Sequence, residues 1–85
     1  VQIIREARRL CVCRADGSPL AGAYVKVYAQ DVSGREIKFH KDGYTDLRGM
    51  FDYESVSTDT EFRPSVFAVF VQSDEGARTF RIEAN

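Results

Sequence analysis

The chain contains a single histidine, His40, and this residue is the first to be considered for catalysis. His40 stands in a polar stretch beside Lys41. A catalytic histidine works together with a nucleophile or a second base that it touches. The residues around His40 suggest no such partner. We therefore predict that His40 is an exposed surface residue, that the chain has no catalytic residues and that it is not an enzyme.

The two cysteines, Cys11 and Cys13, are separated by a single residue. On a β-strand, such neighbours point to the same face with nearly parallel side chains, an arrangement that disfavours a disulfide between them. A structural zinc site needs four ligands, and the sequence contains no second cysteine pair. We predict two reduced thiols on the face away from the core, and neither a metal nor a cofactor. Unpaired thiols favour a reducing compartment.

Acidic and basic residues are numerous but do not form a recognisable ligand pattern. Calcium sites bring six to eight oxygen ligands to one point, whereas single aspartates at turns usually accept hydrogen bonds from the backbone. We predict the turn role for most of six aspartates: Asp16, Asp42, Asp46, Asp52, Asp59 and Asp74. Arg5, Arg8 and Arg9 lack the interleaved aromatic residues that nucleic-acid binding would require, so a solvated basic face is expected.

The length and charge of the chain limit the kinds of protein that it can be. The chain has 85 residues, enough for one domain, and 44% of them are hydrophobic. Its net charge of −1, from 12 basic and 13 acidic residues, gives no general attraction to nucleic acid or anionic membranes. No apolar run is long enough to insert across a bilayer. Because the chain begins with Val1 and not with methionine, we expect residues 1–85 to be a single domain taken from a longer protein.

Period-two patterns dominate the chain and predict β-strands. The clearest alternation runs over residues 23–29, and a continuous apolar run over 66–71 is typical of a central strand. Turn signals at residues 16–19, 33–34, 42–43, 46–49 and 74–76 divide the chain into about seven strands. In the turn from Asp46 to Gly49, we expect Gly49 to have φ > 0 or to lie in a tight backbone approach. The segment from Ile3 to Arg9 has helical potential but is too short for an independent helix. The polar stretch from Ser55 to Pro64 is expected to be a loop.

The alternation also assigns side chains to faces. It predicts a core containing Val25, Val27, Phe51, Phe67 and Val69. Three aromatic residues then point away from that core: Tyr24, Tyr28 and Phe70. Grouped exposed aromatics mark contact surfaces. Two interpretations stay open, because these rings could bind a partner or could be covered by a neighbouring loop or the N-terminal Ile3–Arg9 segment of the same chain.

A family resemblance rests on three groups of residues. The first contains Gly17, Pro19, Leu20, Gly22, Ala23, Val25 and Val27; the second Thr45, Asp46, Gly49 and Phe51; the third Phe67 and Val69. Over roughly residues 10–73 this pattern resembles the carboxypeptidase-regulatory-like domains, which are prealbumin-like (transthyretin-like) β-sandwiches. Residues 37–44 depart from that pattern, because they resemble an insertion into it. The resemblance implies an antiparallel Greek-key sandwich of about seven strands, in which the strands at 23–30 and 66–71 share a sheet.

The resemblance also implies a role. Such modules are attached to larger extracellular, periplasmic or membrane-linked proteins, and they seldom catalyse reactions. The related hydroxyisourate hydrolases use more than one histidine and a C-terminal motif that this chain lacks. We expect a non-catalytic structural or protein-interaction module of a larger protein, contacting a protein partner, a flanking domain or a second copy. The alternative is a carbohydrate- or ligand-binding accessory module of a secreted or surface protein. The thiols and the resemblance favour different compartments, so no localisation is assigned.

Overall fold

The computed structural model describes residues 1–54 and 64–83, which form two antiparallel sheets. The strands are β1 (Gln2–Glu6), β2 (Arg9–Cys13), β3 (Tyr24–Asp31), β4 (Ile37–Tyr44), β5 (Met50–Asp52), β6 (Pro64–Ser73) and β7 (Gly76–Glu83). One sheet has the order β1-β2-β5 and the other β4-β3-β6-β7. The predicted all-β sandwich of about seven strands is therefore confirmed.

The core lies between the two sheets, where the inward positions of their strands meet. All five predicted core residues are buried, and the most accessible of them, Phe51, is only 9% exposed. Besides Phe51 of β5, the three-stranded sheet contributes Leu10 and Val12 of β2, and Tyr53 follows β5; these last three residues are 0% exposed. The edge-to-face contact between Tyr53 and Phe67, with ring centroids 5.4 Å apart, joins the two halves of this core.

The distribution of strands between the sheets is that of an immunoglobulin-like sandwich. In that architecture the first, second and fifth strands share one sheet, while the third, sixth and seventh share the other. This chain follows the same division, and its fourth strand pairs with the third. The strands over residues 23–30 and 66–71 are hydrogen-bonded neighbours, as expected.

Two local expectations from the sequence are wrong. The Ile3–Arg9 segment forms β1 and the turn into β2, because Ile3 pairs with Val12 and packs against the core. The Asp42-Gly43 pair lies inside β4 and does not form a turn. A Cβ atom on Gly43 would stand 2.9 Å from the Phe51 ring, so glycine is present here because an aromatic ring packs against the backbone.

The turn from Asp46 to Gly49 leads from β4 into β5, and the Gly49 carbonyl accepts a 2.8 Å hydrogen bond from the Val12 N–H of β2. Gly49 has a φ of +74°, and a Cβ atom there would lie 2.5 Å from the Val12 carbonyl oxygen. Both the left-handed backbone and the close approach expected at Gly49 are present. The Asp46 carboxylate accepts hydrogen bonds from the N–H groups of Arg48, at 2.8 Å, and Met50, at 3.0 Å.

No helix among the described residues has the length and apolarity needed to cross a membrane. Residues 55–63, which make up nearly all of the predicted polar loop, lie outside the described residues, and Pro64 begins β6.

Candidate functional site

The three aromatic residues singled out from the sequence lie on the outer surface of the four-stranded sheet. Tyr24 and Tyr28 alternate with buried residues of β3, and Phe70 alternates with buried residues of the neighbouring β6. The rings of Tyr28 and Phe70 touch edge to face, with centroids 5.8 Å apart. Phe70 is 41% exposed, and the two tyrosines are partly buried. The outward orientation is thus confirmed, while the use of these rings as a contact stays a prediction.

Strand β4 adds two aromatic residues that sequence reasoning did not assign to this surface. Tyr44 pairs with Tyr24 and Phe39 pairs with Tyr28, at ring distances of 5.5 Å and 6.0 Å. Tyr44 is 68% exposed and Phe39 is 52% exposed. We call the resulting patch the aromatic face; it consists of Tyr24, Tyr28, Phe39, Tyr44 and Phe70.

A β-bulge explains why the sequence did not reveal the contribution of β4. Val27 pairs with Lys41, whereas Tyr28 pairs with Phe39, so His40 is an extra residue in β4. An extra residue shifts the alternation, and the faces on either side of it no longer follow one period-two count. The apolar pattern of β4 would suggest an inward Phe39, but pairing with β3 turns its ring outward. The sequence shows that Phe39 and Tyr44 are aromatic, but it does not show on which side of the sheet they lie.

A single lysine gives the aromatic face a positive centre. The Lys26 Nζ atom lies 5.3 Å from the centroid of the Tyr28 ring and 6.0 Å from that of Phe39, within the range of cation–π attraction. A hydrogen bond with Tyr28 raises the pKa of Lys26 above its ordinary value, so this side chain is charged at neutral pH. Tyr24 donates a 2.7 Å hydrogen bond to the Asp42 carboxylate, which raises the pKa of the Tyr24 hydroxyl.

A groove of about 470 Å³ opens beside these rings, across β3, β6 and β7. Its lining residues are Tyr24, Lys26, Tyr28, Phe70, Val71, Gln72, Ala77, Arg78 and Thr79. The groove therefore combines aromatic rings with two cationic side chains, Lys26 and Arg78, and with polar edges.

The Ile3–Arg9 segment does not cover the aromatic face. Its strand β1 pairs with β2 in the other sheet, and Ile3 packs against the core from that side. The guanidinium of Arg5 donates a hydrogen bond to the Tyr53 hydroxyl at 3.0 Å, which directs this side chain to the rim of the core. The alternative that this segment shields the three predicted rings is therefore wrong.

His40 is partly buried, so its prediction as an exposed surface residue is wrong. The bulge in β4 turns the imidazole toward the core, where its ring centroid lies 5.3 Å from that of Phe67. Its Nε2–H donates a 2.9 Å hydrogen bond to the Glu54 carbonyl. A ring and a backbone oxygen are structural partners, and neither can act as a nucleophile or a second base.

The two cysteine sulfurs share one face of β2, opposite to the buried Leu10 and Val12. The Sγ atoms of Cys11 and Cys13 are 3.3 Å apart, and both residues are free thiols in this structure. Cys13 is nevertheless only 4% exposed, because Pro19 forms a bridge beside it. Burial and the neighbouring Cys13 thiol raise the pKa of Cys11 to about 11.

Most of the aspartates among the described residues accept hydrogen bonds from the backbone or from a neighbouring hydroxyl. Asp16 accepts hydrogen bonds from the Ser18 hydroxyl and N–H, which lower the pKa of its carboxyl, and Asp52 accepts from the Glu54 N–H. Backbone N–H donors at Met50 and Arg48 lower the pKa of Asp46 in the same way. Asp59 lies outside the described residues. Within the described residues, no three His, Cys, Asp or Glu side chains gather as they would around a metal ion.

Comparison with known proteins places this architecture in a family. The model of the AbpF C-terminal domain, an immunoglobulin-like domain, matches residues 1–84. The chain belongs to this family. Over 64 residues, 75% of its length, the chain is 36% identical to Actin-binding protein F of Dictyostelium discoideum, and it spans about 3% of that protein. No solved structure matches it significantly.

Family membership agrees with the coarser expectations from the sequence. Membership of an immunoglobulin-like domain family, and similarity to a short part of an actin-binding protein, suggest a non-catalytic accessory module. The expected β-sandwich is confirmed, whereas the finer carboxypeptidase-regulatory-like or prealbumin-like assignment is not confirmed.

Proposed function

We propose that this domain is a protein-contact module of a larger polypeptide, and that the aromatic face forms the contact. The observation that carries the proposal is the side-by-side arrangement of five aromatic rings on one outer surface of the sandwich. Apolar area left in water costs roughly 25 cal/mol per Å², so a partner that covered these rings would gain binding energy. Aromatic side chains are also the residues most often found at the energetic centre of interfaces.

The occupant that we propose is a different protein, whose surface offers apolar side chains around a carboxylate. The Lys26 Nζ atom lies 5.3 Å from the Tyr28 ring centroid, and Asp42 is the cross-strand neighbour of Lys26. A further carboxylate, supplied by the partner, would complement the lysine charge. A second copy docking through the same face about a two-fold axis would bring Lys26 close to its own counterpart. Such like-charge repulsion disfavours self-association through this face.

Carbohydrate binding, the alternative suggested by the sequence, would use ring faces as open stacking platforms. The Tyr28 ring meets Phe39 at 81° and Phe70 at 86°, so its contacts are edge to face. This packing favours a protein partner. The prealbumin-like relationship likewise stays a hypothesis that rests on the residue pattern of the sequence.

Filamentous actin is the first defined partner to test, because the curated relative is an actin-binding protein. Co-sedimentation with filaments would compare the parent chain with Tyr24→Ser/Phe70→Ser, which should bind at least about tenfold more weakly. The control is Val32→Ser/Leu47→Ser, which removes two apolar side chains that are 64% and 89% exposed outside the aromatic face. Equal binding by the parent and the aromatic variant would refute the assigned face. A parent that stays in the supernatant would exclude actin as the occupant.

A photo-crosslinking residue tests the face whatever the partner. Placed at position 70 in the full-length protein, it should crosslink to another polypeptide, whereas the same residue at position 47 should not. Lys26→Glu should abolish the crosslink by reversing the central charge. Equal crosslinking from positions 70 and 47, or a crosslink that survives Lys26→Glu, would contradict the proposal. A crosslink to a second copy would identify self-association in place of a heterologous partner.

A further inference from the structure

A group of sulfur-bearing side chains lies on the outer surface of the three-stranded sheet, remote from the aromatic face. Cys11 and Cys13 lie on β2 with their Sγ atoms 3.3 Å apart. Met50 of β5 is the antiparallel partner of Cys11. Residues directly opposite one another in such a pair share a face, with Cβ atoms about 4.5–5.5 Å apart. The fold thus brings a thioether beside two adjacent thiols, although Met50 is far from them in sequence.

The spacing of the two sulfurs suits a bridging ion better than a covalent bond. A disulfide would require them to close from 3.3 Å to about 2.04 Å, against the nearly parallel direction of side chains on one strand. If an ion bonded each sulfur at about 2.3 Å, the angle between the two bonds at the ion would be near 90° for the present separation of the sulfurs. Opening that angle to about 120° needs a separation of roughly 4.0 Å, which small side-chain rotations supply.

The ligand types select the ion. Thiolate and thioether sulfurs are soft ligands that favour Cu(I), which is satisfied by two or three of them. Zinc would need four ligands, and the described residues supply no third cysteine, histidine or carboxylate to this cluster. We propose that Cys11 and Cys13 bind one Cu(I) ion, with the Met50 thioether as the third ligand.

Proton release accompanies this binding, and the copper does not change its oxidation state. Each thiol loses one proton to solvent as its sulfur bonds the ion, so two protons leave for every ion that enters. Affinity should therefore increase with pH. Cys11 is only partly buried, and its side of the cluster gives the ion access to the otherwise covered Cys13.

Competition with the Cu(I) chelator bicinchoninate, under anaerobic conditions and with ascorbate as reductant, tests the proposal. The parent chain should withdraw one Cu(I) per chain, and Cys11→Ser/Cys13→Ser should withdraw none. Met50→Leu keeps the apolar volume but removes the sulfur, so it should retain the stoichiometry and bind about tenfold more weakly. X-ray absorption at the copper edge should show sulfur ligands alone in the parent.

Several results would overturn the assignment. These are a parent that cannot compete with the chelator, a double variant that binds as well as the parent, and displacement of copper by equimolar Zn²⁺. Unchanged affinity in Met50→Leu would remove the third ligand from the site. Circular dichroism would verify that each variant is folded. Should the double variant unfold, Cys11→Ala alone changes only the more accessible thiol, and its loss of copper binding decides the same question.

Discussion

Gly49→Ala is the substitution whose effect the structure specifies most closely. Gly49 has a φ of +74°, and an added Cβ would stand 2.5 Å from the Val12 carbonyl oxygen and 3.1 Å from the Leu20 nitrogen. These two atoms belong to the backbone, so neither can rotate away. They are also joined to each other by a 2.9 Å hydrogen bond, and the Val12 N–H donates to the Gly49 carbonyl at 2.8 Å. A shift that relieves the overlap would therefore strain the backbone bonds between the turn and β2.

The magnitude follows from two separable costs. A non-glycine residue in the left-handed region costs about 1–2 kcal/mol, and the reduced freedom of the unfolded chain returns about 0.4–1 kcal/mol. The overlap with backbone adds about 1–3 kcal/mol, the usual scale for overpacking. We expect Gly49→Ala to lower the free energy of unfolding by about 1–5 kcal/mol, out of roughly 4–13 kcal/mol for a domain of this length. The bulkier Gly49→Val should cost at least as much.

Gly22 provides a matched control, since its φ is +73° and no atom lies within 4 Å of the Cβ that alanine would add. Gly22→Ala therefore carries the backbone cost without the overlap. Urea denaturation of both variants should separate their midpoints by about 1–3 M if the m-value is about 1 kcal/mol/M. Equal midpoints for the two variants would refute the argument that close approach to Val12 determines the choice of glycine at position 49.

Three further predictions concern the core, the thiols and the acid side of the stability profile. Phe67→Ala should cost about 3–5 kcal/mol because its side chain is 1% exposed, whereas Phe39→Ala, at 52% exposed, should cost about 1 kcal/mol; equal melting temperatures would contradict the assigned faces. Thiol titration of the metal-free chain should find two free thiols, with Cys11 reacting before the more buried Cys13, and finding none would disprove the reduced pair. In the folded chain the pKa of Asp46 is lower than its ordinary value of 3.8, so its ionised carboxylate stabilises the fold at pH values above 3.8. That contribution is lost as the pH falls through the lowered pKa of the folded chain. The stability gap between the parent and Asp46→Asn should therefore shrink as pH falls below about 4, and a constant gap in urea titrations would rule out this linkage.

Residues with a strict alternation could be assigned from the sequence because a strand leaves each side chain only two directions. Val25 and Val27 alternate with Tyr24 and Tyr28 without interruption, and the structure buries the first pair and turns the second outward. Gly49 could also be interpreted locally, since a turn that requires φ > 0 favours glycine whatever surrounds it. These predictions depended on local backbone geometry, and they held.

Features that depend on the pairing of strands could not be predicted from local sequence patterns. The bulge at His40 reverses the faces of β4, and only the register with β3 reveals that Phe39 and Tyr44 join the aromatic face. Gly43 resembles a turn residue until the Phe51 ring is seen against its backbone. The segment from Ile3 to Arg9 has charges that suit a short helix, but pairing with β2 and burial of Ile3 give it the strand conformation.

The sequence by itself determined a small all-β domain, its main core residues and the outward direction of Tyr24, Tyr28 and Phe70, because hydrophobic alternation and turn chemistry act over a few neighbouring residues. The tertiary structure decided which strands are neighbours. Its registers placed Phe39 and Tyr44 beside the predicted rings and Met50 beside Cys11. These contacts join residues far apart in the chain, and their energies depend on the packing of whole sheets, which no local pattern encodes.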